Sequence, residues 1–123
     1  MTPEIYESEQ LTALIIEAME DAEAKNILVL DLQDIDHAIT NYFVICHGNS
    51  KPQLEAIADR IIEKTVKNLK AKPWHKEGFE NAEWILLDYI DVVVHIFRED
   101  RREFYQLEKL WADGKITRHS YKE

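Results

Sequence analysis

Apolar residues along the chain switch between two periods, and the switches mark the elements. Between Ser8 and about Lys25, Leu11, Leu14, Ile15, Ala18, Met19 and Ala22 recur at steps of three and four. This is the single apolar stripe of an amphipathic helix, here with Ser8 as its cap. Asn26 breaks the pattern. Ile27 to Leu30 and Tyr42 to Cys46 are short continuous apolar runs, predicting two buried strands, and Asp31 to His37 reads as a loop between them. Gly48-Asn49 ends the second strand. Ser50 through Gln53 then has the form of a capping box, with Pro52 in the first helical turn, where amides lack partners anyway. The helix so opened carries Leu54, Ile57, Ala58, Ile61, Ile62, Val66 and Leu69 on one face and should stop before Pro73. Trp84 to Asp88 and Asp91 to Phe97 alternate as two strands joined at Tyr89-Ile90. A last helix is expected from about Asp100, burying Phe104, Leu107, Leu110 and Trp111, followed by a polar tail expected to be mobile. The sum is one α/β domain spanning 1–123, with its core at about 8–112, its tail at 113–123, and helices packed on a compact mixed β-sheet.

The last two strands separate into unlike faces, because successive strand side chains point to opposite sides. Pairing Asp88 with Asp91 sets Leu86 opposite Val93 and Trp84 opposite His95. One face then holds Ile85, Leu87, Val92, Val94 and Ile96, an aliphatic floor for helices. The other holds Trp84, Leu86, Asp88, Asp91, Val93, His95 and Phe97. Aromatic surface rimmed by carboxylates is the composition of a protein-binding patch. Cover by another helix, with His95 a satisfied core residue, fits the same pattern equally well.

Composition narrows the function classes. The 123 residues carry 24 acidic and 15 basic side chains, a formal net charge of −9, with 46% apolar content. Excess carboxylate repels phosphate backbones and favours a basic partner over indiscriminate nucleic-acid binding. Charge is also uneven: Met1 to Asp36 holds ten carboxylates and one base, whereas Lys51 to Lys76 holds seven bases and three acids. Arg60, Lys64 and Lys67 form a stripe along the second helix, continued by Lys70, Lys72 and Lys76. It reads either as a solvated face or as a peripheral contact to RNA. Trp74 either covers the sheet edge or belongs to an interface. No apolar run reaches the ~20 residues of a membrane span, and the first ten residues lack the basic character of a targeting peptide. A cytoplasmic protein without membrane contact is expected. Cys46 is alone, and His37, His47, His75, His95 and His119 show no metal-ligand spacing, so neither a metal nor a cofactor is expected. Cys46 and His47 are strand neighbours pointing opposite ways, a poor nucleophile–base pair.

Five segments in register are similar to one known family. Thr40-Asn41-Tyr42-Phe43-Val44-Ile45-Cys46-His47-Gly48-Asn49-Ser50, Glu77-Gly78, Trp84 to Tyr89, Val92 to Phe97, and Arg102 to Trp111 resemble the ribosomal silencing factor (Iojap) family. The resemblance implies a non-enzymatic factor that binds the large ribosomal subunit through large-subunit ribosomal protein fourteen. Such a factor blocks subunit joining and represses translation under starvation. It also implies a sheet topology related to nucleotidyltransferases, homodimers in some members, and Trp84, Asp88 and Asp91 near the partner. Together with the faces above, the expected partner-binding set is Trp84, Leu86, Asp88, Tyr89, Asp91 and His95. Two positions depart from the family pattern: Asn41 stands where Asp is usual, and Ile90 where the hairpin usually has Gly. A β-branched residue is ill suited to the positive φ of a tight hairpin turn, so either the turn or the register should differ.

The fold kinship makes a nucleotidyltransferase the enzymatic alternative, and a homodimerisation module using the hairpin face a third. Nucleotidyl transfer needs paired carboxylates on a strand to hold magnesium. No Asp-x-Asp follows Gly48-Asn49-Ser50, and Asp34-Ile35-Asp36 precedes it in a loop. Gly48 and Ser50 are sufficiently explained as a strand exit and a helix cap.

Overall fold

The computed structural model describes residues 7–35, 38, 40–101 and 115–118, the last four by backbone. Its elements are α1 (Ser8–Asp21), β1 (Lys25–Asp31), β2 (Tyr42–Gly48), α2 (Lys51–Leu69), β3 (His75–Glu77), β4 (Trp84–Asp88), β5 (Val92–Arg98) and β6 (Lys115–Arg118). They form a six-stranded sheet in the order β3-β4-β5-β2-β1-β6. Only β2 and β5 run parallel; every other pair is antiparallel. The expected mixed sheet with flanking helices is therefore present. Both helices lie on one face, packed against each other and against β2 and β5.

Chemistry at the helix starts sets their boundaries. The α2 cap is as expected: Ser50 Oγ accepts from the Gln53 amide at 3.3 Å. The Gln53 side chain returns one residue further than expected, with Oε1 accepting from the Asn49 amide at 2.7 Å. Lys70, in the left-handed region at φ 55°, ends the helix. In α1 the cap is Glu7, whose amide donates to Gln10 Oε1 at 3.0 Å. Ser8 is thus inside the helix, and its hydroxyl is spent on tertiary contacts instead.

Two apolar clusters sandwich the sheet. Beneath the helices lie Leu11, Ile15, Ala18 and Met19 of α1, Leu54, Ile57, Ala58 and Ile61 of α2, and the strand residues Val44, Cys46, Ile85, Leu87, Val92, Val94 and Ile96. Cys46 behaves as the small core hydrophobe expected of it. On the other face Leu28, Leu30, Phe43, Ile45, Val93 and Phe97 are buried, with Trp84 and Leu86 packed partly buried against them.

Three further features differ from the sequence-based expectations. Strand β3 was not anticipated; all three of its residues are exposed, and a short, charged edge strand gives no hydrophobic pattern. The tail expected to be mobile contains β6, which pairs Arg118 with Leu28 and Lys115 with Asp31. Its polar composition suits an edge strand as well as a loop. Finally, Val66, expected on the buried face of α2, is 37% exposed, while its polar neighbour Thr65 is fully buried. The Thr65 hydroxyl lies 2.9 Å from Tyr89 Oη and donates to Ala71 O, also at 2.9 Å, within a three-way contact. Residues 99–101 are helical, but Phe104, Leu107, Leu110 and Trp111 lie outside the described residues, as do Asp36, His37 and His119.

Candidate functional site: the β4–β5 face

The β4–β5 pairing is Asp88 with Val93, Leu86 with His95 and Trp84 with Phe97. It is displaced by two residues from the pairing expected around Tyr89-Ile90. A two-residue shift preserves side-chain parity, so Trp84, Leu86, Asp88, Val93, His95 and Phe97 still share a face. The reason for the shift is the turn. Tyr89 N–H donates to Val92 O at 2.8 Å, while Asp91 N–H donates to Tyr89 O at 3.0 Å. This three-residue turn is centred on Ile90, which adopts φ 79° and is 61% exposed. A β-branched side chain at positive φ is strained. Asp88 holds the strained residue in place, its Oδ1 accepting from Ile90 N–H at 2.8 Å.

Trp84 is the best-organised side chain of this face. Its indole N–H donates to His95 Nδ1 at 3.0 Å, and its ring centroid lies 5.1 Å from that of Phe97. His95 is only 4% exposed and packs edge-on against Phe43 at 4.8 Å. Burial pulls its pKa from 6.5 down to about 3, so the ring is neutral. Because Nδ1 accepts, Nε2 carries the proton, and among the described residues that buried N–H has no hydrogen-bond partner. A buried orphan donor is costly; its retention here leaves Nδ1 free to fix the indole. His95, expected among the partner-contacting residues, lies behind half-buried Trp84 and is 4% exposed.

The remaining expected residues divide. Leu86 and Asp88 lie beside Trp84, both half-buried. Tyr89 does not join them: it is 4% exposed, on the helix side, with its hydroxyl on Thr65. Asp91 turns towards α1, where its Oδ2 accepts from Ser8 Oγ at 2.8 Å. The same hydroxyl accepts from Asn41 Nδ2 at 2.9 Å. Asn41, the departure noted in the sequence, thus supplies a donor to a chain that ends on a carboxylate. Gly78 is a site residue that the alternation argument missed. At φ 93°, a Cβ added there would lie 2.0 Å from the carbonyl oxygen of Trp84, so only glycine lets this loop close on the start of β4.

The basic stripe on α2 is largely neutralised by α1. Lys64 Nζ lies 2.9 Å from Asp21 Oδ2 and 3.2 Å from Glu17 Oε1. Arg60 reaches Asp21 and Glu63, each at 3.3 Å. Hydrogen bonding to Lys64 holds the Asp21 carboxyl below its ordinary range. Of the three residues expected to face RNA, Lys67 alone has no ion pair among the described residues. The turn opening α2 is likewise occupied by its own Ser50 and Gln53 side chains, rather than presented to a phosphate.

The family model for ribosomal silencing factor during starvation matches residues 5–123. The chain belongs to that family. A ribosomal silencing factor of Bacillus subtilis is 45% identical over 101 residues, covering 81% of this chain and 83% of that protein. Another, from Halalkalibacterium halodurans, is 40% identical over 107 residues, covering 87% and 90%. A crystal structure of a Chromobacterium violaceum protein superposes with a TM-score of 0.80 at 33% identity, covering 87% of this chain and 88% of that one. Membership in the ribosomal silencing factor family carries a ribosome-associated silencing role. Among the described residues no helix is long and apolar enough to cross a membrane.

Proposed function

We propose that this silencing factor acts in the cytoplasm as a steric block, docking its β4–β5 face on a basic protein of the large ribosomal subunit. The partner of that description is large-subunit ribosomal protein fourteen, and the consequence is that the small subunit cannot join. The observation that carries this reading is the Trp84 indole, half-buried on a rigid strand and pinned by neutral His95 at 3.0 Å. A large aromatic group held in one rotamer before binding loses little entropy on docking and is the kind of residue that dominates interface energetics. Leu86 extends the apolar centre, and Asp88 adds negative charge that steers a basic partner and rejects acidic ones.

Occlusion rather than turnover is supported by the carboxylates. Asp88 and Asp91 engage different groups, the Ile90 amide and the Ser8 hydroxyl, and do not converge as a metal pair would. The test is subunit joining in vitro. Wild-type protein added to separated subunits should reduce joined particles, and Trp84→Ala should leave joining intact while its own fold persists. Block by Trp84→Ala equal to wild type would remove this face from the mechanism. Magnesium-dependent turnover of nucleoside triphosphates would replace occlusion with catalysis, and sedimentation as a dimer abolished by Trp84→Ala would assign the face to self-association.

A further inference from the structure

The most exposed large apolar side chain of the described core is not on the β4–β5 face. Trp74 is 68% exposed, at the entrance to the edge strand β3. It sits in a stretch of this acidic chain that is rich in bases and has no carboxylate: Lys64 to Lys76 contains five lysines and no Asp or Glu. Lys64 is consumed by α1, but among the described residues Lys67, Lys70, Lys72 and Lys76 make no ion pair. Lys76 lies over the Phe79 ring at 5.5 Å, and Glu77 is taken up by His75 at 2.8 Å. Ile62, Lys72, Pro73, Trp74, His75 and Lys76 line an open cleft of about 310 Å³.

The backbone beneath this cleft is fixed. Lys70 in its left-handed cap turns the chain, Ala71 N–H donates to Thr65 O at 3.1 Å, and Thr65 Oγ1 donates back to Ala71 O. Trp74 N–H donates to Asp88 O at 2.7 Å. The indole is therefore presented from a pinned segment, adjacent to the hairpin assigned above to the protein partner. An exposed aromatic ring among unpaired cations is how proteins hold single-stranded nucleic acid, with a base on the ring and phosphates on the lysines.

We infer that Trp74 with Lys70, Lys72 and Lys76 forms a second contact site, which takes an unpaired stretch of large-subunit RNA by stacking a base on the indole. The inference rests on the proposed docking: the overall charge of −9 keeps binding of free RNA weak, so the site's contribution on the particle depends on the neighbouring protein anchor. It moves the RNA contact from Arg60 and Lys64, which α1 neutralises, to the C-terminal end of α2 and beyond.

The test uses the full chain in two arms. In the first, an unstructured oligoribonucleotide is titrated in salt rising from about 0.1 M, where a Debye length of about 10 Å screens the distant carboxylates more than the contacts within the cleft. Trp74→Ala should weaken binding roughly 5- to 150-fold, Trp74→Phe should retain most of it, and Trp84→Ala should not change it. Replacing Lys70, Lys72 and Lys76 with Gln should lower the salt slope by about 2. In the second arm, large-subunit binding by Trp74→Ala should weaken while remaining dependent on Trp84. No oligoribonucleotide binding by the wild type, or equal binding by Trp74→Ala, overturns the RNA site and leaves the Trp84 docking standing. Loss of subunit binding in Trp74→Ala without any RNA affinity would assign the cleft to a protein occupant and also overturn it.

Discussion

The two faces of the β4–β5 hairpin are built from alternate residues of the same strands, yet they obey different rules. On the helix side Ile85, Leu87, Val92, Val94 and Ile96 are completely buried and aliphatic. Each can be read as volume filling space beneath α1 and α2. On the far side Trp84 and Leu86 remain half-buried, His95 is buried but polar, and Asp88 supports a strained turn. The first face is explained by packing alone. The second retains an orphaned Nε2–H and a β-branched residue at φ 79°, neither of which packing requires. Features that cost stability and persist are expected where a surface has a task.

That contrast is open to direct attack. The largest effect belongs to the packed face: Leu87→Ala should cost about 2–5 kcal/mol of folding stability, measured by urea unfolding. Below its unfolding midpoint the variant should bind large subunits normally, and a selective binding loss would blur the division between the faces. Next comes pH. His95 is neutral when folded, with a pKa near 3, but titrates near 6.5 when unfolded, so the unfolded chain takes up the extra proton. Stability contributed by this residue is thus fully present above pH 6.5 and falls as pH drops towards 3, by about 1.4 kcal/mol per unit, or about 2 kcal/mol between pH 7 and 5. Urea unfolding at the two pH values checks it, and His95→Phe should flatten the slope. A smaller gain is expected from Ile90→Gly, which relieves the turn but loosens the unfolded chain. The net should be stabilisation of up to about 1 kcal/mol, seen as a melting temperature a few degrees higher. The smallest effect is expected at Lys64→Gln: with its charge already met by Glu17 and Asp21, the salt dependence of subunit binding should not change.

Most of this architecture was legible in the residues because it rests on period. The apolar stripes of both helices, the buried runs of β1 and β2, and the parity of β4 and β5 follow from spacings of three, four and two. Parity even survived a misjudged turn, since the pairing slipped by two residues rather than one. The exposed strand β3 and the polar β6 escaped because backbone pairing at a sheet edge needs no hydrophobic signature. Ser8 looked like a cap, yet what decided its role was Asp91, 83 positions away, a relation that no local pattern encodes. The site was legible only by face. Alternation put His95 beside Trp84 correctly but could not tell a contact residue from one lying behind it. Tyr89 was misplaced because its hydroxyl answers to buried Thr65, and Gly78 was missed because its constraint is the Trp84 carbonyl across the loop.

The most direct measurement is the affinity of the folded protein for isolated large subunits, by co-sedimentation, with Trp84→Ala compared against wild type. Loss of the pinned indole should weaken binding about 30- to 1,000-fold, while circular dichroism and the unfolding transition show the sheet intact. Unchanged affinity in a folded Trp84→Ala protein would contradict the account, because it would show that the ordered side of the hairpin meets no partner.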